Sequence, residues 1–146
     1  MSFQWLTMRI SEEKDRRKKE ASTLEQLPRA LEEVQTALAG CIEEYQGAFG
    51  AEAADMQREP SIVRVIARQN TDGYWRQNSQ VEVKVVPALP GFQIDNGAGG
   101  DPFMVEVGLL PGAKLYFRDR VQDQYITIEE LTRRILDRAF FPKLPE

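Results

Sequence analysis

The sequence predicts an α+β domain, with a long N-terminal amphipathic helix and a C-terminal helix packed on one face of a four- to five-stranded, mainly antiparallel sheet. Three observations carry this. The first fifty residues are poor in glycine and strand formers and place apolar residues at helical spacing. Residues 60–125 are rich in Val, Ile and aromatic residues, alternate in polarity and are broken by Gly, Pro and Asn. Beyond them, Thr127 and Glu130 stand at capping-box spacing ahead of a second helical stripe.

In the front half, Leu24, Leu27, Leu31, Val34, Leu38, Cys41 and Tyr45 recur three and four residues apart, with glutamates and glutamines between them. Ser22 and Glu25 fit a capping box, but Pro28 lies too deep for that start, so the helix is expected from about Pro28 to Phe49. Its bulky residues end at Ile42 and Phe49, one position past strict heptads. A stripe that drifts this way belongs to a straight helix packed on its own domain rather than to a coiled coil, although pairing with a copy in a dimer is the other use of such a face.

Residues 1–21 read as a charged arm or helix ahead of a single domain over 22–146. From Ser11 to Glu20 opposite charges stand four apart, as in Glu12 to Arg16, Glu13 to Arg17 and Asp15 to Lys19, the pattern of a solvated helix. The sharper reading is a basic, aromatic tether, with Phe3, Trp5, Leu6 and Ile10 ahead of Lys14 to Lys19, for anionic lipid or RNA. The net charge from Glu12 to Glu20 is only +1, which favours the plainer one.

Strands are expected over Ser61 to Arg68, over Tyr74 to Arg76 leading into Val81 to Val86, and then over Phe92 to Ile94, Phe103 to Val107 and Ala113 to Phe117. Asn70-Thr-Asp-Gly73 is the turn of the first hairpin. Val81-Glu-Val with Leu89-Pro-Gly91, and Val105-Glu-Val with Leu110-Pro-Gly112, suggest two further hairpins of similar make. In the last helix Ile128, Leu131, Ile135 and Ala139 form one stripe, flanked by Thr132, Leu136 and Phe140, and Pro142 stops it.

Composition limits the chemistry. With no histidine among 146 residues, the chain supplies no Ser-His-Asp or Cys-His relay, no histidine-ligated metal and no histidine pH switch. Its single cysteine, Cys41, excludes an internal disulfide and a cysteine zinc site, and suits a reducing compartment. The net charge is −4, and both halves, split at residue 50, carry −2, so there is no strong nucleic-acid signal. No apolar run matches a signal h-region or a membrane span, and the expected compartment is the cytoplasm.

The candidate sites are few. Tyr74, Trp75 and Arg76 combine two rings and a guanidinium just past a turn, a composition suited to holding a partner, though Trp75 could equally pack beneath the first helix. Asp95-Asn96 to Asp101 brackets a glycine-rich loop whose oxygens could meet a cation, but the spacing fits no known calcium or phosphate loop. Glu82, Glu106, Asp119 and Asp123, with Lys84 and Tyr116, are the remaining acid–base groups. Alternation places Glu82 and Glu106 on the polar face, with Lys84 or Arg64 as neighbours. No catalytic set, cofactor or metal is expected from these residues.

The reading that follows is a non-catalytic protein-interaction domain of the scaffold, adaptor or chaperone-like kind, its first partner a second copy of itself. Two other readings compete with it. One is a small-molecule-binding domain, or an enzyme without histidine, with a pocket between sheet and first helix lined by Tyr45, Phe49, Val65 and Val83. The other is the tether built on the N-terminal arm.

Overall fold

The computed structural model describes residues 3–96, 102–112 and 114–141. It opens with one helix, α1 (Gln4–Phe49), followed by strands β1 (Ala54–Arg58), β2 (Ile62–Thr71), β3 (Tyr74–Val86), β4 (Gly91–Asn96), β5 (Phe103–Leu110), β6 (Lys114–Asp119) and β7 (Gln124–Ile126). Helix α2 (Ile128–Phe140) closes the chain. The strands lie in the sheet in chain order, β1 to β7, and every neighbouring pair is antiparallel.

The fold class is the expected one, but the sheet has seven strands rather than four or five. The two unforeseen strands are its edges. β1 spans only five residues, mostly polar, and β7 only three, so neither carries a readable alternation. A further correction concerns β3, in which Tyr74-Trp75-Arg76 and Val81–Val86 are one strand of 13 residues. The register slips between Ala67 and Arg68, a bulge that absorbs Asn78 and lets the strand continue.

The first helix also starts much earlier than expected. It runs unbroken from Gln4 through Pro28, with no capping break at Ser22. Pro28 removes one backbone donor and costs about 3 kcal/mol in a helix interior. Thr23 and Leu27 before it, and Ala30, Leu31, Val34, Leu38 and Ile42 after it, are all buried against the body of the domain, so packing on both sides carries the helix across the proline. The stripe is thus covered within one chain, as the drift away from heptads implied.

One face of the sheet supplies the core. Val63, Val65, Val81, Val83, Phe92, Ile94, Val105 and Val107 are fully buried beneath Val34 and Leu38 of α1 and Leu131 and Ile135 of α2. The opposite face is polar and paired across strands, with Arg64 2.9 Å from Glu82 and Arg118 3.0 Å from Glu106, each directly opposite its partner in register. Alternation of period two sends the two sets to opposite faces.

The connections follow turn chemistry. Asp72 and Gly73 both have positive φ, 56° and 83°, giving the tight two-residue turn of β2 and β3, and Asn70 Oδ1 accepts the Gly73 N–H at 3.0 Å. α2 is capped by the Thr127 hydroxyl, which accepts from the Glu130 N–H at 3.1 Å, as the capping-box spacing required. Asp119, at the end of β6, is buried. It accepts from the Val121 and Gln122 N–H groups at 3.0 and 3.1 Å and pairs with Arg134 of α2, so one carboxylate fixes the turn and the last helix together.

Candidate functional site

The two ends of α1 are the most distinctive surfaces of the molecule. At its C-terminal end Gly50 closes the helix at φ 117°, and the Gln46 side chain donates to the Ala51 and Ala54 carbonyls at 3.1 and 2.7 Å, fixing the exit into β1. A side chain at position 50 would meet the Trp75 ring at 3.3 Å, so glycine there lets the β2–β3 hairpin fold its indole against the helix end.

α2 ends beside the same place. The Tyr45 ring stacks on Phe140 with centroids 4.1 Å apart and an interplanar angle of 13°, touches Phe49 at 4.8 Å and meets Phe141 edge-on at 6.1 Å. Its hydroxyl donates to the Phe140 carbonyl at 3.4 Å. Burial raises the Tyr45 pKa, so the phenol stays a neutral donor. Two recesses flank these rings. One, of about 470 Å³, lies between the helices, with Cys41, Ala48 and Leu136 in its wall and Glu44, Glu129, Arg133 and Asp137 around it. The other, of about 440 Å³, lies toward the hairpin and includes Trp75, Arg68 and Asn78. Phe49 and Phe141 remain more than half exposed at the edge of both.

At the other end, α1 projects. Residues 3–12 are all exposed, and no residue before Thr23 is buried. Phe3, Trp5, Leu6, Met8 and Ile10 present their apolar side chains to solvent there, Trp5 with 65% of its surface accessible. Behind them the helix is braced by its own ion pairs. Arg16 lies 2.6 Å from Glu13 and 2.7 Å from Glu20, and Arg17 3.1 Å from Glu13. Hydrogen bonds from Arg16 and Arg17 lower the Glu13 pKa to about 2.

The structure therefore distributes the anticipated residues unevenly. Trp75, Tyr45 and Phe49 come together at one end, joining two sets that the sequence reading kept apart. Tyr74 and Arg76, from the same hairpin, point away into solvent, and Tyr74 is 69% accessible. Val65 and Val83 are fully buried in the core, away from the recesses that Tyr45 and Phe49 line. Asp95 and Asn96 end β4, whereas Asp101 lies outside the described residues. Among the described residues no cluster of three acidic or cysteine side chains is arranged to hold a metal.

Glu82 and Glu106 occupy the polar face, each beside an arginine, and Lys84 lies 3.7 Å from Glu82. Asp123 pairs with Arg118, and Tyr116 lies over Gly108. Phe140 and Phe141 are the contributors that the reading did not single out for a site. Their signal was two adjacent aromatics at the end of a short amphipathic helix, one of which has to lie off the buried stripe.

The chain matches no protein-family model, and no curated protein or solved structure is significantly similar to it. Fold and surface alone define its class, a helix-sheet-helix α+β domain that carries apolar surface at both ends of one long helix.

Proposed function

We propose that this chain is a non-catalytic protein-interaction domain of the scaffold or adaptor kind, acting in the cytoplasm, with the projecting tip of α1 and the aromatic end as its contact surfaces. One observation carries the reading. The tip exposes five large apolar side chains within eight residues, on a helix that the body of the domain does not cover there. Exposed apolar patches of this kind mark association surfaces, and a Trp flanked by Leu, Met and Arg has the composition of a binding hot spot. The aromatic end supports the same reading. It offers an apolar groove with few polar groups to orient a small ligand and no base or nucleophile pair to act on one.

Among the described residues, no helix is long and apolar enough to cross a membrane. Native mass spectrometry of the chain purified from its own host tests the proposal. The expected spectrum contains an assembly, with a second copy or another polypeptide, that Trp5→Ser abolishes. A retained small molecule on a monomer would instead support a ligand-binding domain.

A further inference from the structure

Building on the interaction-domain reading, we infer that the partner at the aromatic end is a second copy of this chain, whose α1 tip enters the groove between α1 and α2. The groove and the tip are borne on one continuous helix. Met8 and Glu44, at tip and groove, are separated by about 54 Å at 1.5 Å per residue, so no molecule can place its own tip in its own groove. An occupant of this kind comes from another copy.

Three features make the second copy a fit. The first is phase. Thirty-six residues are about ten turns of an α-helix, so Trp5 lies on the face of α1 that carries Cys41, and Met8 on the face that carries Glu44. Two α1 helices related by a two-fold axis run antiparallel and meet through the same face, which sets Trp5 and Met8 of each opposite the groove wall of the other.

The second is charge. The groove is bordered by Glu44, Glu129 and Asp137 against Arg133, whereas Arg9 is the one charged side chain from Phe3 to Ile10, and Lys14, Lys18 and Lys19 behind it have no ion-pair partner among the described residues. A basic tip entering an acidic rim is steered and oriented by this match. Arg9 gives up only a solvent-exposed contact to Glu12, 3.1 Å away.

The third is count. Each copy has one tip and one groove, so reciprocal docking satisfies both and closes the assembly at two subunits, whereas docking of a foreign helix would leave the tips bare. Anionic membrane is the weaker match for the same tip, because Arg16 and Arg17 are already held by Glu13 and Glu20.

The lone cysteine makes the test direct, since Cys41 lines the groove. A full-length Met8→Cys protein, treated with a short thiol-to-thiol cross-linker and mapped by peptide mass spectrometry, should give an intermolecular bridge between position 8 and Cys41. A bridge between two copies of position 8 would overturn the inference in favour of paired tips. Sedimentation equilibrium supplies the second arm. Parent protein should be dimeric, and Trp5→Ser or Ala48→Arg, both at exposed helix positions that leave the melting curve unchanged, should each weaken the dimer by about 100-fold. Mixing the two variants should restore a heterodimer of intermediate strength, because one intact tip then meets one intact groove.

A parent chain monomeric up to about 100 µM refutes self-docking. If that monomer bridges from position 8 to another polypeptide in host extract, the interaction-domain reading survives alone. If it instead binds phosphatidylserine vesicles through Trp5, both readings give way to a tether.

Discussion

Single residues in this sheet differ sharply in what they tolerate, and two glycines illustrate why. A Cβ at Gly91 would sit 2.0 Å from the Val105 carbonyl oxygen, which belongs to the paired strand and cannot move without breaking the ladder. A Cβ at Gly108 would meet the far end of the Tyr116 ring, also at 2.0 Å, and that ring can swing outward on the exposed side of the sheet. Gly91→Ala should therefore cost about 3 kcal/mol or more and Gly108→Ala about 1 kcal/mol, a difference that denaturant titration of the two variants will resolve.

Asp119 is the other telling residue. Burial raises its pKa, but the Gln122 N–H, the Arg134 guanidinium and the Val121 N–H outweigh that effect and hold it below the ordinary carboxylate value. The unfolded value is about 3.9, so the stabilisation is complete above that pH and is lost as pH falls through the lower folded-state value. Asp119→Asn should destabilise the domain by about 2–4 kcal/mol at pH 7 through the orphaned Arg134. The gap between variant and parent should narrow below about pH 4, and melting curves across pH 2 to 7 check the sign.

At the scale of elements, the proline in α1 gives a clear expectation. Pro28 leaves the Leu24 carbonyl without its helical donor, and Leu24 is partly exposed, so water meets that need. Pro28→Ala should raise stability by about 1–3 kcal/mol, read as a higher melting temperature with the same far-UV helical signal. The elements also show how far the sequence could be read. α2, the Asp72-Gly73 hairpin and the buried side of the long strands were legible because period and turn chemistry agree there. The start of α1 was not, because local capping signals at Ser22 and Pro28 pointed to a boundary that packing on the sheet overrides. β1 and β7 stayed hidden because a short edge strand needs only one partner and little apolar patterning. At the candidate site, the rings of Tyr45, Phe49 and Trp75 could be picked out one by one, but their meeting depends on a bulge and a helix crossing that no local pattern encodes.

For the whole molecule, the division of α1 into a covered and an uncovered part has a direct test. Removing residues 1–12 takes away no buried side chain, so the sheet body should keep its melting temperature to within about 2 °C while losing helical signal in proportion to length. Hydrogen exchange should find the same boundary, with amides ahead of Thr23 exchanging through local fraying and those from Leu27 to Ile42 only on opening of the body.

The order of the strands has a consequence for synthesis. Each strand of this sheet pairs with the one made just before it, so during translation every new strand finds a template already in place, and the sheet lengthens by a single hairpin at a time. The helix that leaves the ribosome first is treated differently. Its apolar stripe packs beside β1, β5 and α2, so it stays uncovered until nearly the whole chain has followed. The glutamates between its leucines, and the charged turns ahead of them, are what keep that exposed stripe in solution while it waits.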